Sequence, residues 1–220
     1  MYLNIALTGE EYRSEIEDFI HKVFTDQHGA NIKNYLPWLL GIYNKNGDIQ
    51  SALGLKGAQG NPLFLEQYLN SNVEKVASQV IGKSINREDI IEVGNLAAIS
   101  LGGARVLTYM LTAFLRGAGY KWVVFTAPPL LNNSFKRLGL SLQYLADAKF
   151  GDLNNDDSDW GSYYNNNPQV VIGNVDESFE ILKKSPNLDQ VGAAMVWNQA
   201  YAKGWTYRVA QNNLTSGIKV

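Results

Sequence analysis

The chain has no cysteine, only two histidines and no long apolar run. Without cysteine, thiol catalysis, disulfide bonds and cysteine-ligated zinc are excluded. No segment approaches the roughly 20 consecutive apolar residues of a membrane-spanning helix. The first residues also lack the basic start and the apolar run of a signal peptide. We therefore expect a soluble, cytoplasmic protein.

Histidine, a common ligand of transition metals, is scarce. His21 and His28 both fall on the first predicted helix, where surface or capping roles are expected. Segment 152–158 imitates the opening of a calcium-binding loop. However, Asp157 stands where that loop needs glycine, and Tyr163 stands where it needs a bidentate glutamate. We interpret the segment as a polar loop and expect no metal site.

Acidic residues are missing from a long central segment. Residues 93–146 contain five basic residues and no acidic residue. Residues 147–180 then contain eight acidic residues and one basic residue, a local net charge of −7. The whole chain carries a net charge of only −2, so its overall charge argues against nucleic-acid binding. A solvated surface accounts for such asymmetry in many proteins, and a site for an anion is the alternative.

What the chain does contain is enough apolar sequence for one substantial core. It has 220 residues, of which 45% are hydrophobic, and this size allows at most two small domains. We expect a single domain over residues 1–185, followed by a helical extension over residues 186–220.

Two neighbouring stretches are the most informative. Residues 89–107 combine an apolar strand, the small-residue turn Gly102-Gly-Ala104 and the start of a helix, and residues 121–127 form the next apolar strand. Free amides at a helix N-terminus in a basic region favour an anion such as phosphate. A plain strand-to-helix turn is the other interpretation.

The remaining pattern predicts a mixed sheet with helices on both faces. Thr8 with Glu11 has the spacing of a capping box before the first helix, and Asn132 or Asn133 is a candidate cap for a short helix. The predicted strands are 3–7, 38–43, 49–55, 64–68, 90–99, 122–126, 142–145 and 170–172. The first predicted helix follows Thr8 and has apolar residues at helical spacing from Ile16 to Phe24. The other predicted helices are 73–81, 104–116, 132–138, 176–184 and 187–203, with residues 204–220 frayed.

This order resembles the GNAT acyltransferase fold, an α/β (mixed-sheet α+β) fold with splayed central strands. Four segments resemble the thermostable hemolysin family more closely: 64–69, 92–98, 122–127 and 160–164. The resemblance covers about residues 15–185. The chain is also distantly similar to acyl-homoserine-lactone synthases, which carry Glu-x-x-Arg on the fourth strand. Here that segment is Glu92-Val-Gly-Asn95, so the glutamate is kept and the arginine is absent.

The resemblance implies a site for an acyl thioester. Residues 96–99 and 124–127 would line the groove for the pantetheine arm, and the amides near Leu101 to Arg105 would meet phosphate. The residues implied in donor binding are Leu96, Ala97, Ala98, Ile99, Leu101, Gly102, Gly103, Ala104, Arg105, Phe125 and Asn133. The GNAT turn normally begins with Gln or Arg, and the matching position here is Ile99.

Four polar residues are candidates for the chemistry. Glu92 and Glu66 lie in apolar segments and could bind an ammonium group or take its proton, although each could equally be a solvent-facing or structural acid. Asn95 could position a carbonyl or bridge to a loop. Thr126 could donate a hydrogen bond to the acyl carbonyl or simply suit a strand.

The function expected from these features is transfer of a fatty acyl group to a small amine or amino acid. The donor would be an acyl carrier protein or a coenzyme A thioester, with no permanently bound cofactor. Lys136 and Arg137 could dock an acidic acyl carrier protein, or simply face solvent. The alternatives are a membrane-active haemolysin and a non-catalytic module that binds a lipid or nucleotide. We expect no nucleic-acid partner and weak membrane contact or none, with residues 188–202 as its candidate segment.

Overall fold

The structure is a computed structural model, and it describes residues 2–7, 12–60, 62–154, 158–186, 188 and 194–216. Seven strands are present in these ranges: β1 Tyr2–Leu7, β2 Trp38–Tyr43, β3 Ile49–Gly57, β4 Ile90–Ala98, β5 Trp122–Ala127, β6 Leu142–Asp147 and β7 Gln169–Asn174. The α-helices are α1 Arg13–His28, α2 Val73–Ile81, α3 Leu101–Ala118, α4 Pro129–Arg137, α5 Val175–Lys183 and α6 Ala194–Ser216.

All seven strands form one mixed sheet in the order β1-β2-β3-β4-β5-β7-β6. Only the central pair, β4 and β5, is parallel, and every other neighbouring pair is antiparallel. A parallel pair needs a long crossover, and α3 supplies it. The two stretches singled out in the sequence therefore meet at the centre of the sheet.

Alternation along each strand divides the core between the two faces of the sheet. On β4, Ile91 and Val93 join the cluster beneath α3, α5 and α6. Ile90 joins the opposite cluster, under α2 and the 3-10 turn Phe64–Tyr68. Glu92 points to the same side as Ile90. We call the Phe64–Tyr68 segment the 64–68 turn.

Two boundary predictions were wrong. Residues 64–68 form a 3-10 turn rather than a strand, because the side chain of Glu92, and not a neighbouring strand, accepts hydrogen bonds from the amides at its start. Helix α4 begins at Pro129, before the predicted caps, because proline is preorganised for the first helical position and lacks only an amide that would be unpaired there. The proposed cap Thr8 and its partner Glu11 lie outside the described residues.

The last helix also extends beyond its prediction. We expected residues 204–220 to fray, but α6 continues to Ser216. Its buried face, which includes Val196, Ala200 and Tyr207, packs into the core cluster beneath α3. Burial of this face stabilises a helix that its own sequence pattern predicts poorly. Among the residues that the structure describes, no helix combines the length and apolarity needed to cross a bilayer.

Candidate active site

The central feature of the sheet is a fork between its two parallel strands. β4 and β5 pair only from Ile90 with Trp122 to Val93 with Phe125. Beyond this point β4 stays with β3, while β5 stays with β7. The facing edges of residues 94–98 and 126–127 therefore have no strand partner across the gap in the described structure. The splayed central strands implied by the family resemblance are present.

A bulge in β4 begins where the strands separate. The β3–β4 register shifts between Ala52 and Gly54, and Asn95 has a φ of 50°. Asparagine is one of the few residues with a side chain that adopts this left-handed conformation readily. Its Oδ1 accepts a hydrogen bond from the Leu36 amide at 2.9 Å. Its Nδ2 donates to the Asn34 carbonyl at 3.2 Å.

Asn95 therefore bridges β4 to the loop that contains Asn34 and Leu36. This bridge is one of the two roles that the sequence left open for it. A Cβ at the facing Gly54 would lie 2.8 Å from Asn95 Oδ1, so the bulge requires a glycine there. This arrangement holds the backbone of β4 away from β5 and keeps the fork open.

The turn after β4 leaves two amides available. Ser100 caps α3, and its Oγ accepts a hydrogen bond from the Gly103 amide at 3.0 Å. The amides of Leu101 and Gly102 have no hydrogen-bond partner within the described residues. Arg105 is exposed and forms no ion pair among those residues. The sequence interpretation did not include Ser100, although a serine directly before a helix is a common capping signal.

An apolar cavity of about 50 Å³ lies between the fork and α3. Its wall includes Val93 and Phe125, the last strand pair before the fork. Helix α3 contributes Leu107 and Leu111, and α4 contributes Phe135. The predicted donor residue Leu96 also lines the cavity. Sequence reasoning missed most of this wall, because its residues have the pattern of ordinary core positions on several strands and helices.

Glu92 is buried on the opposite face of the sheet, with 3% of its surface exposed. Its Oε2 accepts a hydrogen bond from the Phe64 amide at 2.9 Å. Its Oε1 accepts one from the Leu65 amide at 2.8 Å. Burial raises the pKa of Glu92 from its ordinary value near 4.5 to about 7, although the two amide hydrogen bonds act in the opposite direction. Glu92 therefore anchors the 64–68 turn and can exchange a proton near neutral pH.

Glu66 lies in that turn but has a different environment. Its two carboxylate oxygens accept hydrogen bonds from Arg87 Nη1 at 2.6 Å and Nη2 at 2.8 Å. The amides of Leu63 and Val73 also donate to this carboxylate. Burial alone would raise the pKa of Glu66, but these hydrogen bonds outweigh burial and the pKa lies below its usual value. The carboxylate is thus engaged in holding the 64–68 turn against Arg87.

The other predicted residues fall on both sides of the fork. Thr126 is half-buried on β5, on the same face as Glu92, and no hydrogen bond of its hydroxyl is present in the described structure. Asn133 is exposed on α4, whereas its neighbour Asn132 has a buried Oδ1 without a hydrogen-bond partner in that same part of the chain. Asn132 is therefore the better placed of the two asparagines, and it was considered from the sequence only as a helix cap.

The remaining residues predicted to bind the donor lie at the end of β4 and in the first turn of α3. Ala97 is buried, Ala98 is half-buried and Ile99 is 56% exposed. Gly103 and Ala104 are half-buried in the first turn of α3. A Cβ at Gly103 would lie 3.2 Å from the Gln50 carbonyl oxygen, so glycine permits the close approach of α3 to β3.

The aromatic segment that begins at Trp160 packs on the Glu92 face. The Trp160 ring lies 6.0 Å from that of Phe64 and 6.2 Å from that of Phe24. It therefore ties its loop to α1 and to the 64–68 turn, and it does not line the apolar cavity. Part of the calcium-like segment, residues 155–157, lies outside the described residues. Within the described part of the chain there is no cluster of three metal-ligating side chains.

The sequence profile of the thermostable hemolysin family matches residues 7–179. The chain belongs to this family. A search of the curated proteins finds no match. The family assignment made from the four sequence segments is thereby confirmed.

Solved structures of low identity share the fold. The acyl-homoserine lactone synthase BjaI, described as coenzyme A dependent and solved with SAM and isopentyl-CoA, superposes with a TM-score of 0.60 at 10% identity, covering 89% of this chain and 91% of its own. FeeM, an N-acyl amino acid synthase from uncultured soil microbes, gives 0.56 at 15% identity, covering 82% and 98%. Apo TofI gives 0.56 at 14%, covering 86% and 99%. The GNAT-like fold of this member of the thermostable hemolysin family is thus confirmed.

Proposed function

We propose that this protein is an N-acyltransferase that moves a fatty acyl group from a thioester to a small amine or amino acid. The observation that carries the proposal is the apolar cavity whose wall includes Val93 and Phe125, the last strand pair before the fork. A thioester arm that enters between the strands would place its carbonyl at the fork and its acyl chain in the cavity. The wall of this cavity is mostly apolar, which suits the methylene groups of an acyl chain. Its volume of about 50 Å³ holds only the first part of such a chain, since ligand pockets usually measure roughly 300 Å³ or more, so a longer chain requires wall side chains to move apart.

The unpaired strand edges support a donor arm of the pantetheine type. Such an arm carries amide groups that need hydrogen-bond partners, and the edges at residues 96–98 and 126–127 offer backbone amides and carbonyls. The buried Oδ1 of Asn132 offers a further acceptor. The free amides of Leu101 and Gly102, together with Arg105, would meet a phosphate at the N-terminus of α3.

Coenzyme A and an acyl carrier protein would both present a phosphate at this turn. We favour the carrier protein, because Leu101 is 88% exposed and Arg105, Lys136 and Arg137 are exposed cations. Carrier proteins are acidic, and opposite charge speeds their encounter with such a surface. Coenzyme A would contact the turn but not the wider basic surface. Comparing the activity of the protein with the two donors therefore distinguishes a carrier-protein donor from a coenzyme A donor.

The reaction requires no covalent enzyme intermediate. The amine nitrogen of the acceptor adds to the thioester carbonyl carbon, the carbon–sulfur bond breaks, and an amide and a thiol are released. The amine gives up one proton and the leaving sulfur gains one. Holding the two reactants in register accounts for much of the acceleration in such a reaction.

We assign proton transfer to Glu92, supported by its raised pKa and by its position two residues before the bulge. Two residues along a strand span roughly 7 Å. One water bridges only about 5.6 Å between hydrogen-bonding atoms, so the proton would pass through two waters. Thr126 is proposed to donate a hydrogen bond to the oxygen of the thioester carbonyl. Asn95 and Glu66 are proposed as positioning residues, the first for the fork and the second for the 64–68 turn.

The test is a donor and acceptor screen with the purified chain. Because the protein has no cysteine, a thiol reagent reports only the thiol released from the donor. Acyl carrier protein and coenzyme A thioesters of several chain lengths are offered with a mixture of amino acids and amines, and N-acyl products are identified by mass spectrometry. Thiol release with a matching N-acyl product supports the proposal. Donor binding without any product would instead favour a non-catalytic binding module.

A matched pair of threonine variants sharpens the test. Thr126→Val removes the hydroxyl while nearly preserving the shape of the side chain, and we expect kcat to fall by about tenfold or more. Thr206→Val is the control, since Thr206 is exposed on α6 and its hydroxyl donates to the Ala202 carbonyl. Equal activity of the two variants would remove Thr126 from the mechanism.

A further inference from the structure

The side chain of Leu36 lies over a pair of facing glycines on the Glu92 face of the sheet. Gly54 on β3 and Gly94 on β4 are register partners. A Cβ at Gly54 would lie 2.8 Å from Leu36 Cβ, and a Cβ at Gly94 would lie 3.0 Å from Leu36 Cδ1. Both distances are shorter than the roughly 3.5–4.0 Å of an ordinary carbon contact. The two glycines therefore leave a depression in the sheet, and Leu36 fills part of it.

This depression lies beside the fork. Gly94 directly follows Val93, which forms the last β4–β5 pair with Phe125, and Thr126 is the next residue on the other strand. Gly94 and Thr126 are both half-buried, although their strands are central in the sheet. Solvent therefore reaches the fork next to Leu36.

The backbone of Leu36 is held on both sides. Its amide donates to Asn95 Oδ1, and its carbonyl accepts a hydrogen bond from Arg13 Nη2 at 3.0 Å. Arg13 is 9% exposed, and it also donates to the Pro37 carbonyl at 2.8 Å and pairs with Glu17 at 2.6 Å. These bonds fix the position of the leucine above the glycines.

The packing of Leu36 is not that of an ordinary core residue. It is half-buried, and it belongs to none of the three apolar clusters formed by the described residues. A leucine held this firmly at the edge of an open site limits the size of a molecule that enters beside it.

We infer that Leu36 sets an upper size limit on the acceptor, so that amines of about the size of glycine enter and amines with a bulky group on the adjoining carbon do not. This inference rests on the proposed function. There the acyl chain takes the α3 side of the sheet, so the amine arrives from the side of Glu92 and Thr126. On that side, a group on the carbon next to the nitrogen would meet Leu36 above Gly94.

The experiment compares kcat/KM for two pairs of acceptors, using the acyl donor that the purified chain uses best. The pairs are glycine with phenylalanine and methylamine with benzylamine, and the members of each pair differ in bulk on the carbon that bears the amine. The wild type should favour the small member. Leu36→Ala should shift the ratio towards the large member by about tenfold or more, because binding sites discriminate side-chain size by roughly 10–200-fold.

Two further variants are the controls. Leu188→Ala removes the same side chain from a half-buried position in the cluster on the opposite side of the sheet, and it should leave the ratio unchanged. Leu36→Met nearly conserves side-chain volume and should keep the preference of the wild type. Loss of folded protein lowers the rates with both acceptors equally, so the ratio is independent of stability.

The outcomes separate this inference from the proposed function. If the wild type forms N-acyl products but does not favour small acceptors, or if Leu36→Ala leaves the ratio unchanged, the size limit is overturned and acyl transfer stands. If no acceptor gives a product, the proposed function fails, and calorimetry tests the size limit without the reaction. Phenylalanine should then bind Leu36→Ala about tenfold more tightly than the wild type. Equal binding to both proteins, or binding to neither, would overturn the inference.

Discussion

The substitution Glu92→Gln should change how stability depends on pH. The folded protein retains the Glu92 proton up to about pH 7, whereas the unfolded chain releases it near 4.5. Between these values the folded state binds more protons than the unfolded state. The contribution of Glu92 to stability is therefore largest below about pH 4.5 and is lost as pH rises to about 7.

The size of this effect follows from the pKa difference. A rise from 4.5 to about 7 corresponds to about 3 kcal/mol of lost stability in the wild type. The variant lacks this loss, because glutamine does not ionise. Glutamine also carries a donor where the carboxylate accepts from two backbone amides, so one hydrogen bond is lost at every pH at a cost of about 1–3 kcal/mol. The variant should thus be less stable near pH 5, and the difference should close or reverse above neutral pH.

Urea unfolding of both proteins, from near pH 5 to about pH 8.5, measures this change. Groups that titrate in both proteins cancel in the comparison. Glu88→Gln is the control for removing one carboxylate from the chain, since Glu88 is exposed in the same region. Parallel stability curves for the wild type and the Glu92 variant would refute the reasoning, because they would mean that Glu92 is already ionised in the folded protein at pH 5.

Three further predictions concern the small-residue turn before α3, the cavity and the 64–68 turn. Leu101→Asp should leave the free energy of unfolding equal or higher by about 0.5 kcal/mol, since an acidic side chain suits a helix N-terminus. It should nevertheless raise the KM for the donor severalfold relative to the control Leu101→Asn. Equal KM values for the two variants would remove the turn from donor binding. Gly173→Ala adds a Cβ that would lie 2.9 Å from a leucine in the cavity wall. The products should therefore carry shorter acyl chains than those of the wild type. Gly151→Ala is the control, because its Cβ would meet nothing within 4 Å, and it should leave the acyl-chain lengths unchanged. Arg87→Met breaks two partly buried ion pairs and should lower the free energy of unfolding by about 2–4 kcal/mol. The control Lys121→Met breaks an exposed ion pair and should lower the free energy of unfolding by less than about 1 kcal/mol. If thermal or urea unfolding shows similar losses for the Arg87 and Lys121 variants, the ion pairs of Arg87 do not hold the 64–68 turn.

The order of strands and helices around the fork could be predicted from the sequence. The apolar runs of β4 and β5, the small residues between Ile99 and Arg105 and the glycine after α3 are local signals, and each depends only on neighbouring residues. Family resemblance added the expectation of splayed strands. These signals correctly placed the small-residue turn after a central strand of the sheet.

The environments of the polar residues could not be predicted in the same way. Glu92 and Phe64 are 28 positions apart, and Asn95 and Leu36 are 59 apart. Nothing in the alternation of β4 indicates that Glu92 would receive two backbone amides from a 3-10 turn. The sequence alone also left Glu66 as an equal candidate acid, because its pairing with Arg87 depends on the path of the chain between them.

The sequence by itself therefore determined the family, the order of the elements and the place of the small-residue turn, because hydrophobic period and backbone freedom act over a few residues. Only the tertiary structure decided which acid is buried without an ion pair, where the apolar cavity lies and how far α6 extends. Those properties depend on the burial of one segment by another, and the free energy of burial is set by contacts between residues that lie far apart in the chain.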